Sequence, residues 1–384
     1  MKVCLVSHTS DKTGAERLLL RITDGLRERG VGVFVLLPGD GPLKAELAIR
    51  RVPYACFPYR WWASWGLDLW GRLKAVARLH TLPAIVSRLR EWDVNVILTN
   101  SSVIPAGALA AYVLRRPHVW YIHEFGREDQ NLSFTLGFRG ACKVIASLST
   151  RVIVNSRAVE QYYSRYIPRE KIRMIYGGVE SAAGRPNHRP SCPDHRLPRL
   201  VLVGNYSPGK GQLVAITALK HLFDQQVRAE LVLVGPAPDP LYFAELKQAV
   251  SDRGLDKLVS FVGYQDDSTP FVAEADLVLM CSRSEAFGLV TIEGMQLGKP
   301  VVGARGGATP ELIRDGFNGL LYTVDDASDL AAKVRYLLEN PDLARQMGEN
   351  GRRWADQEFS LERYIDEVFE VLNDASSGAV SRQS

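Results

Sequence analysis

Two carboxylates, Glu285 and Glu293, stand eight positions apart in "SRSEAFGLVTIEGMQLGKP", residues 282–300. The strand-like run "ADLVLMC" ends just before them, and a helix is expected from near Gly288 to Gly298, ahead of Pro300. Glu285 then lies in the turn and Glu293 one or two turns into the helix. The amides of Phe287, Gly288 and Leu289 fall at the helix start, where N–H groups lack intrahelical partners and the helix dipole is positive. Such a terminus binds anions, and Gly288 allows close approach to its backbone. Carboxylates there repel phosphate, so Glu285 and Glu293 suit neutral hydroxyls, such as those of a sugar or a ribose. A cation is offered at another strand-to-helix turn, "VGNYSPGKGQL", by Lys210 between two glycines. A third such turn, "HTSDKTGAER", places Gly14 before a helix. None of the three matches a Walker loop or G-x-G-x-x-G, which excludes a P-loop or a dinucleotide fingerprint.

The elements that must position these turns alternate between short apolar runs and amphipathic stretches. "KVCLVSH", "VGVFVLL", "VNVILTN", "HVWYIH", "RVIVN" and "KIRMIY" read as buried parallel strands of a doubly wound α/β domain, residues 1–177. "GVESAAGRPNHRPSCPDHRLPR" holds four prolines and almost nothing to bury, and reads as a linker, 178–199. The pattern restarts with "LVLVGNY", "AELVLVG", "LVSFVGY", "ADLVLMC" and "PVVGAR", giving a second such domain, 200–358. A final helix is expected over 359–374 and an unstructured tail over 375–384. Two domains of this kind, facing each other, leave a cleft beyond the carboxyl ends of their strands, where open α/β sheets bind ligands.

At 384 residues, 46% hydrophobic and 23% charged, the chain suits two globular domains. Five scattered cysteines without ligand spacing favour reduced thiols in a cytoplasmic setting. The opening "MKVCLVSH" reads as a strand and not a signal peptide. The longest apolar run, "VIPAGALAAYVL", falls short of the roughly 18 residues of a spanning helix. Charge is unevenly divided: residues 1–177 hold 26 Lys+Arg against 14 Asp+Glu, net +12, and residues 178–384 hold 21 against 29, net −8. The first half is thus expected to meet something anionic.

Taken together, "SEAFGLVTIEG", "GKPVVGARGGATPELI", "GFNGLLY" and "VGNYSPGKGQ" resemble the retaining nucleotide-sugar glycosyltransferases of the GT-B fold, glycosyltransferase family 4 (glycosyl transferases group 1), whose signature is the spacing Glu285-x7-Glu293. The resemblance covers the second domain well and the first loosely. It implies two Rossmann-like domains across a cleft, with the C-terminal helix packed back on the first. It implies that Glu285 bonds the donor sugar's hydroxyls, Glu293 the ribose hydroxyls, and the backbone of Phe287, Gly288, Leu289 and Val290 the sugar and diphosphate. Lys210 is implied as the catalytic cation, and Gly14 as the point where the first domain closes over the phosphates. His123, in "WYIHEFG", matches a position that contacts the donor sugar or its acceptor side. Asn205 stands where the family usually has arginine, so one diphosphate cation is either missing or supplied elsewhere, by Arg283 or Arg305. Thr13-Gly14 replaces a common pair of glycines, and "GGATPE" is one residue longer than the usual loop before Glu311.

The implied activity is transfer of a sugar from a nucleotide-diphosphate sugar to a glycan or lipid-linked saccharide, with no cofactor, no metal and no nucleic acid. Two other functions fit the same residues: a GT-B sugar-nucleotide epimerase, and a catalytically silent scaffold that binds sugar nucleotides or glycans. "PYRWWASWGLDLWGRLKAVARLH" packs four of the seven tryptophans into residues 61–70, beside Arg72, Lys74 and Arg78. Trp61, Trp62 and Trp65 are expected to form an acceptor or anionic-membrane face at the cytoplasmic side, with aromatic core packing as the alternative. In the linker, His188, Cys192 and His195 lack a fourth ligand and do not make a zinc site.

Overall fold

The computed structural model describes residues 1–65, 78–180 and 196–380. The chain divides into two compact units: one formed by Met1–Gly178 with Leu361–Ser384, the other by Val179–Ser360.

In the first unit the strands are β1 (Lys2–Ser7), β2 (Gly32–Leu37), β3 (Tyr54–Cys56), β4 (Ala63–Trp65), β5 (Val96–Asn100), β6 (His118–Ile122), β7 (Leu132–Phe134), β8 (Arg151–Val154) and β9 (Ile172–Met174). Seven of them form a parallel sheet in the order β3-β2-β1-β5-β6-β8-β9. β4 and β7 form a separate antiparallel pair. Every residue of β5 and β6 is buried, as a sheet covered on both faces requires. The sheet edges, β3 and β9, are only three residues long, which limits unpaired backbone. The strand order turns back between β1 and β5, which makes their carboxyl ends a topological switch point.

The helix Gly14–Glu28 buries Leu18, Leu19, Ile22 and Leu26, one face of a helical period. Against it lies the C-terminal helix Leu361–Val380, so close that a Cβ at Gly25 would stand 2.6 Å from Ile365. The chain therefore returns to its first unit at the end, as the resemblance implied. The helix runs past the boundary expected at 374: Ala375 is buried, and Ser376 Oγ donates to Asn373 O and touches Met1 Sδ. Contact with the first unit stabilises a segment whose small polar residues suggested no structure.

The second unit contains β10 (Arg199–Val203), β11 (Glu230–Val234), β12 (Val259–Gly263), β13 (Leu277–Met280), β14 (Val301–Ala304) and β15 (Gly319–Tyr322). They form one parallel sheet in the order β12-β11-β10-β13-β14-β15, with its switch point between β10 and β13. Its core gathers Leu200, Leu202, Leu231, Leu233, Leu277 and Leu279 from the strands with Ile216, Leu219 and Leu222 from the helix Gln212–Asp224. Where the unit begins and ends, Val179 pairs with Ser360 and its N–H donates to Phe359 O at 2.9 Å.

Among the described residues no helix is long and apolar enough to cross a membrane, and no cluster of three metal-binding side chains occurs. The linker residues His188, Cys192 and His195, and Trp70, Arg72 and Lys74, lie outside the described residues.

Candidate active site

The second unit brings Lys210 and Glu285 together because β10 and β13 are neighbours in the sheet and each ends in a turn. After β10 the chain makes a single 3-10 turn, Pro208–Lys210, and enters its helix through Gly211 at φ +72°. A Cβ there would sit 2.2 Å from Cys281 O, so only glycine lets this turn lie on the end of β13. Arg283 N–H donates to Gly209 O at 3.0 Å and ties the two turns backbone to backbone. Lys210 Nζ then lies 2.7 Å from Glu285 Oε2.

Glu285 is largely enclosed. Burial pushes its carboxyl up, but the Lys210 charge and hydrogen bonds from Lys210 and Ser282 outweigh that, leaving it below the usual carboxylate range. Its backbone is held from the other side by the glycine loop: Ala308 N–H donates to Glu285 O at 2.7 Å, and a Cβ on Gly307 would meet that oxygen at 2.3 Å. Gly288, at φ +95°, opens the helix Leu289–Gln296 with no side-chain cap, the kind of terminus at which an anion can be held. The Phe287 ring is buried against Phe359, at 6.1 Å between centroids, so this residue can offer a ligand only its backbone. Leu289 and Val290 are half-buried, and Glu293 occupies the helix's second turn, also half-buried. Asn205 is exposed, its carbonyl accepting from Gln212 Nε2 at 2.9 Å. Arg283 and Arg305, both largely exposed, are each paired with an acid, Asp325 at 2.8 Å and Asp315 at 2.7 Å.

The first unit collects a different set at its switch point. Glu16, fully buried on the first helix, accepts from Ser7 Oγ at 3.0 Å and from Thr13 Oγ1, and pairs with His8 Nδ1 at 2.9 Å. Burial works against both charges, yet their mutual attraction prevails: His8 is raised and Glu16 lowered. This pair anchors both ends of the loop that leads to Gly14, which is exposed as the first residue of its helix. His123 follows β6, with Nε2 2.6 Å from Asn100 Oδ1. Burial pushes its pKa down to about 4, with Glu124 and Glu16 opposing, so the ring is neutral near pH 7. Glu124 is buried and saturated, accepting from Ser101 Oγ, Ser102 N and Ser102 Oγ at 2.8, 2.7 and 2.6 Å, and from His123 N at 3.1 Å.

The tryptophans divide. Trp62 is buried, its ring 5.9 Å from that of Trp120 and nearly parallel, and its Nε1 donates to Ser102 O at 2.7 Å. That indole is core, which corrects the expectation that it forms part of an exposed face. Trp61 is half-buried, with Nε1 donating to His8 O at 2.7 Å. Trp65 ends β4. Sequence reasoning missed His8, Glu16, Asn100 and Glu124 in the first unit, and Ser282 and Gly307 in the second. For His8, Asn100, Glu124 and Ser282 the signal is a polar residue at or within two positions of the end of a parallel strand; Glu16, inside the first helix, and Gly307, in the loop after β14, carry no such signal.

Two family models account for most of the chain: "Glycosyltransferase Family 4" matches residues 12–183, and "Glycosyl transferases group 1" matches residues 186–354. The chain belongs to this glycosyltransferase family. It is 35% identical to the N-acetyl-α-D-glucosaminyl L-malate synthase of Bacillus anthracis over 185 residues, 47% of this chain and 48% of that enzyme. A glycosyltransferase of Methanocaldococcus jannaschii is 28% identical over 70% of this chain and 72% of its own length. Among solved structures, Anabaena HepE in complex with UDP superposes with a TM-score of 0.81 at 26% identity, over 97% of this chain and all of that one. The fold is GT-B, two Rossmann-like parallel sheets, and this family member is a glycosyltransferase enzyme.

Proposed function

We propose that the chain is a retaining hexosyltransferase that moves a sugar from a nucleoside-diphosphate donor to a glycan or lipid-linked saccharide. In this reading it works at the cytoplasmic face of a membrane, in the synthesis of surface polysaccharide or glycolipid. The observation that carries the reading is the Lys210–Glu285 pair beside the uncapped, Gly288-led helix start. HepE, the 26%-identical structural relative, has been crystallised with UDP and with UDP-glucose, which makes UDP-glucose the first donor to try.

As the bond from the anomeric carbon to the β-phosphate oxygen stretches, negative charge grows on the diphosphate. Lys210 and the amides of Phe287, Gly288, Leu289 and Val290 neutralise it, an electrostatic contribution that is usually the largest in catalysis. Lys210 is 38% exposed, so its ammonium can leave Glu285 partly for a phosphate. Glu285 then holds sugar hydroxyls, Glu293 the ribose hydroxyls, and Asn205 lies beside the diphosphate as a neutral donor. The acceptor oxygen bonds the anomeric carbon on the face the phosphate leaves, and its proton passes to the departing phosphate oxygen. No enzyme nucleophile and no metal are needed. In the first unit, Gly14 and His123 are the candidate sugar- and phosphate-facing groups. Its basic excess, with Trp61 and Trp65, favours an anionic acceptor or an anionic lipid surface.

The test is an assay on the purified full chain with UDP-glucose and candidate acceptors. Release of UDP that depends on acceptor supports transfer, whereas isomerised nucleotide sugar without acceptor identifies an epimerase. Binding without either reaction identifies a scaffold. An inverted anomeric centre in the product sinks the retaining step.

A further inference from the structure

The polar chain beneath His123 fixes which ring nitrogen carries the proton. Asn100 is wholly buried at the end of β5. Its Nδ2 faces two acceptors, Ala15 O at 3.2 Å and Glu16 Oε1 at 3.5 Å. The opposite amide orientation would turn Oδ1 against a carbonyl and a carboxylate, so Oδ1 must be the atom that faces His123 Nε2 at 2.6 Å. An amide oxygen only accepts; Nε2 is therefore the protonated nitrogen. The lone pair lies on Nδ1, which is shielded from solvent and has no hydrogen-bond partner. A buried acceptor without a donor costs about 1–3 kcal/mol, which a ligand donor recovers. The donor that the proposed reaction brings is a sugar hydroxyl.

We propose that Asn100, pinned by Ala15 and Glu16, is a positioning residue that holds His123 as its Nε2–H tautomer and so reserves Nδ1 to accept from a hydroxyl of donor or acceptor sugar. The inference rests on the reading of His123 as a sugar-facing group. The groups acting on the ring are Glu124 behind it on the same strand end, Glu16 and His8 from the first helix and the end of β1, and the Tyr121 ring at 4.0 Å. Only the neutral ring can accept at Nδ1. A change that draws a second proton onto it switches the contact off.

The experiment combines imidazole nitrogen spectra of the full ¹⁵N-labelled chain with pH profiles of transfer. His123 signals are assigned by their loss in His123→Ala. In the parent at neutral pH, Nε2 is expected to be the protonated nitrogen and Nδ1 the bare one. Asn100→Leu should release the tautomer and lower kcat/KM roughly 10-fold at every pH, the scale of one orphaned buried hydrogen bond. Asn100→Asp keeps an acceptor at Nε2 but adds a carboxylate beside Glu16. It should give a new acidic limb, with activity recovering as pH rises and the ring loses its extra proton. A parent ring protonated at Nδ1, or an Asn100→Asp profile that overlays the parent's, overturns the proposal. Should Asn100→Leu fail to fold, the parent spectrum and the Asp profile still decide. Absence of transfer in the parent would instead count against the proposed function, and the spectrum would judge the tautomer independently.

Discussion

The two units place their chemistry at the same topological spot and build it from opposite materials. At the β10/β13 switch point the second unit exposes backbone: Gly211, Gly288 and Gly307 all take positive φ, and an acid is set against a lysine. At the β1/β5 switch point the first unit uses side chains: Glu16 and Glu124 are buried among hydroxyls, an amide and histidines. A helix start without a side-chain cap and an ammonium favour a multiply charged anion, while a network of hydroxyls and an amide around the internally balanced His8–Glu16 pair, with one ring nitrogen left to accept, favours uncharged hydroxyls. On the proposed reading, one fold yields an anion-reading half and a hydroxyl-reading half through the choice of glycine or polar side chain near the strand ends.

The largest effect that could break this comparison is expected at the anion end. Lys210→Ala should cut turnover by about 10²–10³-fold, the size of one lost electrostatic donor to a developing charge. Donor-saturated turnover measures it, and a loss below tenfold would mean that the diphosphate is neutralised elsewhere. Gly211→Ala comes next. A Cβ 2.2 Å from Cys281 O at a φ of +72° should cost roughly 2–4 kcal/mol, read as a drop in the second unit's unfolding midpoint in denaturant. In the first unit, Trp62→Ser should cost about 3 kcal/mol from lost packing against Trp120. Flotation on anionic vesicles should be unchanged in that variant and reduced when Trp61 and Trp65 become serine. Equal loss in both would put Trp62 on the surface.

Acid should separate the units more finely. Buried His118 and half-buried His123 are depressed to about 3 and about 4 from 6.5. The unfolded chain binds their protons first, so the first unit loses stability as pH falls from 6.5 toward those values. His8, raised by Glu16, works in the other direction: its contribution is full below 6.5 and is lost as pH rises through its folded value. Glu285, lowered from 4.5, stabilises the second unit above 4.5 and stops doing so only in stronger acid. Hydrogen exchange near ~pH 5.5 should therefore quicken in β6 before β10, and the reverse order would contradict the assignment of neutral buried rings. The smallest effect expected is none: if Lys210 and the helix amides carry the neutralising charge, as proposed, a chelator should leave turnover unchanged.

Much of this was legible because it depends on local pattern. Apolar runs alternating with amphipathic stretches specify a buried parallel sheet with covering helices, and glycines beside Lys210 and Glu285 mark turns where backbone must approach something closely. The first unit's network was not legible, since Glu16, Asn100 and Glu124 each stand alone in sequence and meet only when β1, β5 and β6 align. The tryptophans misled for a related reason. Clustering in sequence suggested a shared face, but Trp62 turns inward to Trp120 while its neighbour Trp61 stays half-buried. The C-terminal helix outlasted its expected end because its stability comes from Gly25 and Met1, residues more than 300 positions away.

The pairing of Val179 with Ser360 has a practical corollary. Residues 179–360 are an uninterrupted insert whose two ends are stitched side by side, so they can be cloned as a stand-alone piece or grafted between other hosts without loose threads. The remainder cannot be obtained by simply stopping after Gly178. Such a fragment would forfeit the helix that seats Ile365 against Gly25, and it would need residues 361–380 reattached through a short bridge to become a complete body.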